Sequence, residues 1–497
     1  TVIGYFMMDL NLVQVALSMY TGVEPFPLVT VPLFVFAGSL MEQGGMAKRI
    51  VNMAQSMIGN YTGSLGLVAV LGCAFFAALS GSGPATTAAI GAVMIPSMIK
   101  QNYDPAMGGA IAAAGGALGS LIPPSNLMII YGIVAEQSIP RLFLAGFFPG
   151  FVATAMLMFT VYLIAKKRNY VGSGVEFSWS EVRRSLGEGK WAILAPFIIL
   201  GGIYSGAFTP TEAAAVAVFY ALLIGGVVYR ELTLKRILVC LKVTAMISGA
   251  VLIIVGPAKA FGELMSLLSV PDLIGDALAD VTESPFLLLM IISVILIITG
   301  MFLESIAQII LLTPLLLPIV VALGIDPIVF GIIMVISCEV GFLTPPVGAN
   351  LFVAARITNL GIDKISVAVL PFLLAYIGVL VFVALFPEVV TFLPDLVYGK
   401  YGVPARAAMA TTDLKSANFD CVVLPGGFEA PDRVRLLPEV LKFVQEMDQQ
   451  KKLVAAICHG PWIMISAEIC RGRKMTAFWS IEADIKNSGA GYQHKVP

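Results

Sequence analysis

Charged residues are scarce in this sequence. Only 12% of its 497 residues are Asp, Glu, Lys or Arg, whereas soluble domains usually carry about 25%. Hydrophobic residues make up 58% of the chain, which favours lipid rather than water as the surrounding solvent. The net charge of -1 and the lack of a long Lys/Arg run argue against nucleic acid as a partner.

Cysteine and histidine are also few and widely separated. The six cysteines contain no CxxC pair, so neither a disulfide framework nor a zinc site is expected. Both histidines, His459 and His494, lie near the C-terminus. The hydrophobic part therefore has no imidazole for metal binding or proton relay. Any coupling ion there has to be bound by oxygen ligands, and no other metal is predicted.

Long apolar stretches recur along the first four-fifths of the chain. Several approach the ~20 residues that cross a bilayer. A buried soluble core would explain one such stretch, but it does not explain the whole set. We therefore predict an all-α polytopic membrane protein in a lipid bilayer. The stretches are 26–39, 145–165, 191–207, 213–228, 285–301 and 365–386.

The sequence repeats itself at an offset of 222 positions, without a gap. A double proline and an Asp-Pro pair that share one offset indicate an internal duplication. The aligned pairs include Asp104-Pro105 with Asp326-Pro327, Gly119 with Gly341, and Pro123-Pro124 with Pro345-Pro346.

Basic residues indicate the orientation of the two repeats, because Lys and Arg accumulate on the cytoplasmic side of short loops. They predict that a hairpin at 60–99 enters from the cytoplasm and that a second hairpin, at about 286–321, enters from outside. The repeats are therefore inverted, as in alternating-access transporters. We place repeat one at about 26–165, a cytoplasmic linker at 166–190 and repeat two at about 191–386, with the C-terminal tail outside.

Each repeat contains a double proline within an apolar segment. Proline removes a backbone N–H and clashes with the preceding helical turn, so Pro123-Pro124 and Pro345-Pro346 predict two broken helices. The freed carbonyls are tolerated at membrane depth only where protein, water or an ion replaces their partners. A plain kink is the alternative for one such pair. Two pairs at equivalent positions favour an ion or substrate site.

The predicted tip of the first hairpin has the sequence SGSGP at 80–84. Its carbonyl and hydroxyl oxygens suit a cation, and its helix N-terminus suits an anion. The equivalent tip of the second repeat is expected near 303–305. Glu212, Glu304 and Glu339 lie in apolar surroundings. Each is either functional or a local helix cap, and the sequence leaves both interpretations open.

These motifs together resemble the DctM-like large membrane subunit of TRAP transporters, over residues 1 to about 398. The resemblance implies an elevator-type transporter with two re-entrant hairpins that imports organic acids, of the C4-dicarboxylate or sialic-acid type, with Na+ as coupling ion. It also implies a small four-helix membrane subunit and a periplasmic substrate-binding protein as partners. The location would be the bacterial inner membrane, with a periplasmic tail. The motifs are 26–41, Ser80-Gly81-Ser82, Leu121-Ile122-Pro123-Pro124-Ser125, Phe208–Ala213 and Gly341–Gly348.

The resemblance also implies site residues, because the sodium sites of this family lie at hairpin tips and helix breaks. One site falls on Ser80, Ser82, Gly119, Ile122 and Pro124. The second falls on Gly341, Thr344 and Pro346, with a contribution from the tip at 300–304. The residues implied for the substrate and hairpin region are Gly81, Gly83, Ser125, Asn126, Glu304, Ser305, Gly348 and Arg356.

Composition changes after Pro394, where apolar spans stop and charged residues reappear. We predict a linker at 399–418 and strands at 419–424 and 453–457. The second strand ends at Cys458 before a helix, an arrangement typical of a nucleophile elbow. The segment 419–497 resembles the PfpI-like family of the glutamine-amidotransferase-like fold. That resemblance implies Cys458 as nucleophile, His459 as its partner and Gly426-Gly427 in the oxyanion loop.

The first strands of that fold are missing from the segment, which predicts an incomplete α/β sheet with exposed edges. We therefore expect a fusion of two fragments and a secondary transporter rather than an enzyme. The alternative function is a membrane-anchored, cysteine-dependent hydrolase or deglycase of the PfpI type. A channel is a third possibility, although paired broken helices in inverted repeats favour alternating access.

Overall fold

The chain forms two compact units, 1–401 and 402–497. The computed structural model describes residues 5, 6, 8, 11–172, 174, 177–279, 282, 284–398, 415–424, 435, 437–456, 461–475, 482–488 and 491–492. Unit one is helical in this described part, and unit two combines short strands with helices.

The first half of unit one is a succession of helices joined by short turns. A 3-10 turn, Phe26–Val29, leads directly into the second of them. The helices are α1 (Leu12–Val23), α2 (Thr30–Gln43), α3 (Met46–Ile58), α4 (Ser64–Ser80), α5 (Gly83–Lys100), α6 (Pro105–Leu121), α7 (Asn126–Val134) and α8 (Ile139–Arg168).

The second half of unit one is likewise a succession of helices. The predicted linker 166–190 overlaps the end of α8 and the start of the next helix. The helices are α9 (Trp179–Tyr204), α10 (Pro210–Leu222, continued by a π-helical turn Leu223–Val228), α11 (Leu234–Leu267), α12 (Val270–Ala279), α13 (Pro285–Gly300), α14 (Ser305–Ala322), α15 (Pro327–Phe342), α16 (Ala349–Thr358), α17 (Ile362–Leu385) and α18 (Glu388–Tyr398).

Seven helical stretches in the described part of the chain are long and apolar enough to cross a membrane, or up to eight if the bent pair α6–α7 counts as one span. The hairpin helices α4 and α13 have only 17 and 16 residues. A helix of that length falls short of the ~20 residues typical of a full span. These features confirm the predicted all-α polytopic fold with two hairpins and two broken helices.

The repeated Asp-Pro pairs begin the two broken helices. Asp104 Oδ1 accepts a hydrogen bond from Ala106 N (3.0 Å), and Asp326 Oδ1 accepts one from Ile328 N (2.7 Å). The proline that follows each aspartate occupies the first helical turn, where its missing N–H costs nothing. The duplicated sequence therefore encodes the same capped helix start twice.

The broken helices form the centre of unit one. Every residue from Met107 to Leu121 in α6 and from Ile328 to Phe342 in α15 is buried. In α6 most of these residues are Gly or Ala, which let neighbouring helices approach closely. The hairpin α4–α5 packs against α6, and α13–α14 packs against α15. Each hairpin tip therefore lies near the helix break of its own repeat.

Unit two contains two small parallel strand pairs. Strand β1 (Cys421–Leu424) pairs with β2 (Leu453–Ala456) in the register Cys421 to Leu453. The described part also includes α19 (Pro438–Gln449), α20 (Pro461–Ser466), β3 (Lys474–Met475), α21 (Glu482–Asn487) and β4 (Gly491–Tyr492), with β3 parallel to β4. The limited strand content confirms the predicted incomplete α/β fragment, because two-stranded sheets are marginal by themselves.

Candidate functional site

The first hairpin tip is a buried turn rich in oxygen atoms. The Ser80 and Thr86 hydroxyls hydrogen-bond each other at 2.6 Å, and Ser80 Oγ also donates to the Ser82 carbonyl at 3.4 Å. Gly81 ends α4 with a φ of 63°, in the left-handed region that glycine adopts without strain. The turn therefore places hydroxyl and carbonyl oxygens at the start of α5.

The first helix break is docked onto this tip by backbone hydrogen bonds. Asn126 N donates to the Gly81 carbonyl at 3.0 Å, and Gly83 N donates to Ser120 Oγ at 3.1 Å. Ser125 Oγ in turn donates to the Ser120 carbonyl at 2.5 Å. The tip and the break thus form one structural unit, although about forty residues separate them in the sequence.

Glycine at position 119 allows this close approach. A Cβ there would contact the Ser82 carbonyl oxygen and Thr86 Oγ1, and would lie 2.7 Å from the Ser82 carbonyl carbon. A Cβ at Gly81 would lie 2.7 Å from the Pro124 carbonyl oxygen. The oxygens around this point belong to hydroxyls and carbonyls, which are suitable ligands for a hard cation such as Na+.

The second repeat has a similar tip-and-break arrangement. Val347 N donates to the Met301 carbonyl at 3.0 Å, which docks the second break on the second tip. A Cβ at Gly341 would lie 2.7–2.9 Å from the backbone of Gly300. Thr344 Oγ1 donates to the Val340 carbonyl at 2.7 Å, so the lone pairs of this hydroxyl remain available to a cation.

The two clusters differ in exposure. Ser80, Ile122 and Pro124 of the first cluster are buried, and Ser82 is half-buried. In the second cluster Thr344 is half-buried and Pro346 is exposed on unit one. The second break is therefore the more accessible of the two in this conformation.

Two of the three glutamates singled out in the sequence are helix caps. Glu212 and Thr209 form a reciprocal capping box at the start of α10. Glu304 Oε2 accepts hydrogen bonds from Ile306 N (2.9 Å) and Ala307 N (3.3 Å) at the start of α14. Glu339 caps no helix: it lies inside α15 and is fully buried.

The remaining implied residues occupy different surroundings. Asn126 and Ser305 are buried at the first turns of α7 and α14. Gly348 precedes α16 with a φ of 44°. Arg356 is exposed in the last turn of α16 and forms no ion pair with another described residue.

The predicted site did not include Thr86 or Ser120, although Thr86 lies one helical turn after the first tip.

The predicted catalytic residues of the tail, Cys458 and His459, and the glycines Gly426 and Gly427 lie outside the described residues. Among the described residues of unit two, α19, β2 and α20 contribute to a small apolar core that includes Phe443, Met447 and Ile463. The described part of unit two thus places the strand before Cys458 and the helix after it, as the sequence predicts.

Paired hairpins, broken helices at equivalent positions and seven candidate spans define a helical membrane transporter built from two repeats. Comparison with known families agrees: the profile of the DctM component of tripartite ATP-independent periplasmic transporters matches residues 1–389. The chain belongs to this family. The profile of the DJ-1/PfpI family matches residues 380–496, which confirms the second half of the fusion.

Curated relatives share 35–42% identity with this chain. The C4-dicarboxylate TRAP transporter large permease protein DctM of Rhodobacter capsulatus is 38% identical over 399 residues, covering 77% of this chain and 90% of that protein. The sialic acid large permease protein SiaM of Vibrio cholerae is 40% identical over 387 residues, with 78% and 90% covered. The isethionate permease protein DctMQ of Oleidesulfovibrio alaskensis is 42% identical over 378 residues, and the chain spans 60% of its length.

One solved structure supports the fold of unit one. The crystal structure of the Alcanivorax borkumensis YdaH transporter superposes with a TM-score of 0.54 at 16% identity, covering 75% of this chain and 87% of that one. At this level of identity the likeness concerns the fold alone. It agrees with the helical, polytopic architecture described above.

Proposed function

We propose that unit one imports organic acids across the bacterial inner membrane, driven by sodium, as the large membrane subunit of a binding-protein-dependent TRAP transporter. In each repeat the hairpin tip contacts the helix break, and we call this contact region a tip-and-break cluster. These two clusters, in which Gly119 and Gly341 allow backbone oxygens to approach a helix break, are the observation that supports the proposal. A small four-helix membrane subunit and a periplasmic substrate-binding protein complete the system. The tail of the chain lies in the periplasm.

The relatives support the proposed substrate class. Their names specify C4-dicarboxylates, sialic acid, isethionate and 2,3-diketo-L-gulonate, all of which are organic acids. An anion gains from a helix N-terminus and from a nearby cation. Each cluster offers both features. A helix starts at Gly83 in the first cluster and at Ser305 in the second, and the proposed cation site lies beside each helix start.

The distribution of protein oxygen atoms in the two clusters supports the proposed coupling mechanism. In each cluster, backbone oxygens of the hairpin tip lie close to the helix break, so a Na+ bound there would join two segments that are distant in sequence. Sodium binding would hold tip and break together and favour the substrate-binding conformation. Movement of this assembly relative to the other helices, as in an elevator, would then expose the site to the opposite side.

Reconstitution tests this proposal. Proteoliposomes that contain the chain and its small subunit, supplied with the binding protein, should take up a labelled organic acid when sodium is present outside. Choline as the external cation should give no stimulation. The Pro123-Pro124→Ala-Ala variant should insert normally but lose uptake, because a continuous helix removes the free carbonyls at the break. Wild-type uptake that is independent of sodium would contradict the proposal.

A further inference from the structure

The second repeat places a carboxylate against the tip of the first hairpin. Glu339 lies in α15 and has no exposed surface. Its Oε2 atom would lie 2.9 Å from a Cβ at Gly83, the first residue of α5, and Asn350 Oδ1 would lie 3.1 Å from the same point. Glu339 and Asn350 therefore meet the first tip at the N-terminal end of a helix of 18 residues.

The hydrogen bonding of this pair is incomplete. Asn350 Nδ2 donates to Glu339 Oε2 at 3.3 Å. Glu339 Oε1 and Asn350 Oδ1 have no hydrogen-bond partner among the described residues, although both side chains are fully buried. Buried oxygens in this state have lone pairs available to accept a hydrogen bond or to coordinate a cation.

Glu339 has no basic ion-pair partner among the described residues. None of the ion pairs in the described part of the chain includes Glu339. Arg356, in the last turn of α16, is exposed. A buried carboxylate without a cation is costly, and a cation held nearby removes that cost.

Gly83 lies between this carboxylate and the proposed first sodium site. Its N–H donates to the Ser120 hydroxyl at 3.1 Å, and Ser120 follows Gly119, where a Cβ would meet the Ser82 carbonyl. We propose that Glu339, oriented by Asn350, supplies the negative charge that balances the sodium ion at the first hairpin tip. This inference rests on the proposed sodium coupling and adds a residue from the opposite repeat to the first site.

The consequence is a link between the two repeats. Glu339 lies two residues before Gly341, which contacts the second tip at Gly300. A shift of α15 that alters the second site therefore also moves the charge beside the first site. Occupation of either site should then change the affinity of the other by the same factor, which is the reciprocity that thermodynamic linkage requires.

Sodium-dependent thermal stabilisation of the purified chain tests this inference. The melting temperature is measured against NaCl, with choline chloride keeping the ionic strength constant. Glu339→Gln removes the charge but retains the shape and the Asn350 contact. It should raise the sodium concentration for half-maximal stabilisation at least about tenfold, which corresponds to about 1.4 kcal/mol. Glu388→Gln removes an exposed carboxylate at the start of α18 and should leave the titration unchanged.

Two further outcomes separate the possible failures. If wild-type protein responds to sodium and Glu339→Gln gives the same titration, the role of Glu339 is wrong while sodium coupling stands. If wild-type protein gives the same melting temperature in both salts, sodium coupling itself is wrong.

Gly83→Ala provides a second test that keeps the charge of Glu339. The added methyl group would displace the Glu339 carboxylate from the first hairpin tip. It should also weaken the sodium response, and an unchanged titration would again count against the inference.

Discussion

Substitution of Gly119 by alanine probes the contact between the first hairpin tip and the first helix break. The added Cβ would lie 2.7 Å from the Ser82 carbonyl carbon, whereas ordinary contact begins at 3.4 Å. Because the Ser82 carbonyl oxygen and Thr86 Oγ1 would lie closer still, the tip has to retreat by at least about 0.7 Å. Such overpacking costs about 1–3 kcal/mol. The shift also exceeds the ~0.2 Å tolerance of metal–ligand distances, so sodium should bind at least about tenfold more weakly.

Gly108→Ala is the matched control on the same helix. A Cβ at Gly108 meets only Met98 side-chain atoms, at 3.6 and 3.9 Å, and alanine favours a helix over glycine by about 0.5–1 kcal/mol. The assay is sodium-stimulated uptake in proteoliposomes across a range of NaCl concentrations. Gly119→Ala should need much more sodium than wild type, while Gly108→Ala should match it. Equal sodium requirements for both variants would refute the tip-and-break account.

The remaining predictions concern stability and the tail. Arg141 and Asp395 form an ion pair at 2.8 Å with side chains 7% and 18% exposed, so Arg141→Met should cost about 3 kcal/mol; restored stability in the Arg141→Met/Asp395→Leu double variant would support the pairing. Burial raises the pKa of the Cys470 thiol to about 11, so its alkylation at pH 8 should be slower than that of exposed Cys421 and accelerate as the pH approaches 11. If the tail is an inactive fragment, Cys458 should react no faster than Cys421, and selective labelling of Cys458 would favour a hydrolase.

Much of the fold could be predicted because its signals are local or repeated. The double prolines fixed the two helix breaks, and the offset of 222 positions identified the two equivalent halves. The Asp-Pro pairs at Asp104 and Asp326 mark helix starts through a cap that needs only adjacent residues. The apolar stretch 285–301 marked α13, the first helix of the second hairpin. All of these features depend on sequence periodicity and on proline chemistry.

The contacts within the site were less predictable because they join distant segments. The sequence left a functional role and a capping role equally open for Glu339, Glu212 and Glu304. Only the structure shows that Glu212 and Glu304 are helix caps and that Glu339 is not. Its neighbour Gly83 lies in the other repeat, and no local pattern encodes that proximity. Ser120 was absent from the predicted site, yet its hydroxyl accepts the hydrogen bond from Gly83 N that joins the break to the tip.

The most direct test of the central claim is equilibrium binding of radioactive sodium to the purified protein. The account predicts saturable binding of about two ions per chain, one at each tip-and-break cluster. Ser80→Ala should remove the first site and Thr344→Val the second, each leaving about one ion bound. No saturable sodium binding, or full binding in both variants, would contradict the assignment of these clusters as sodium sites.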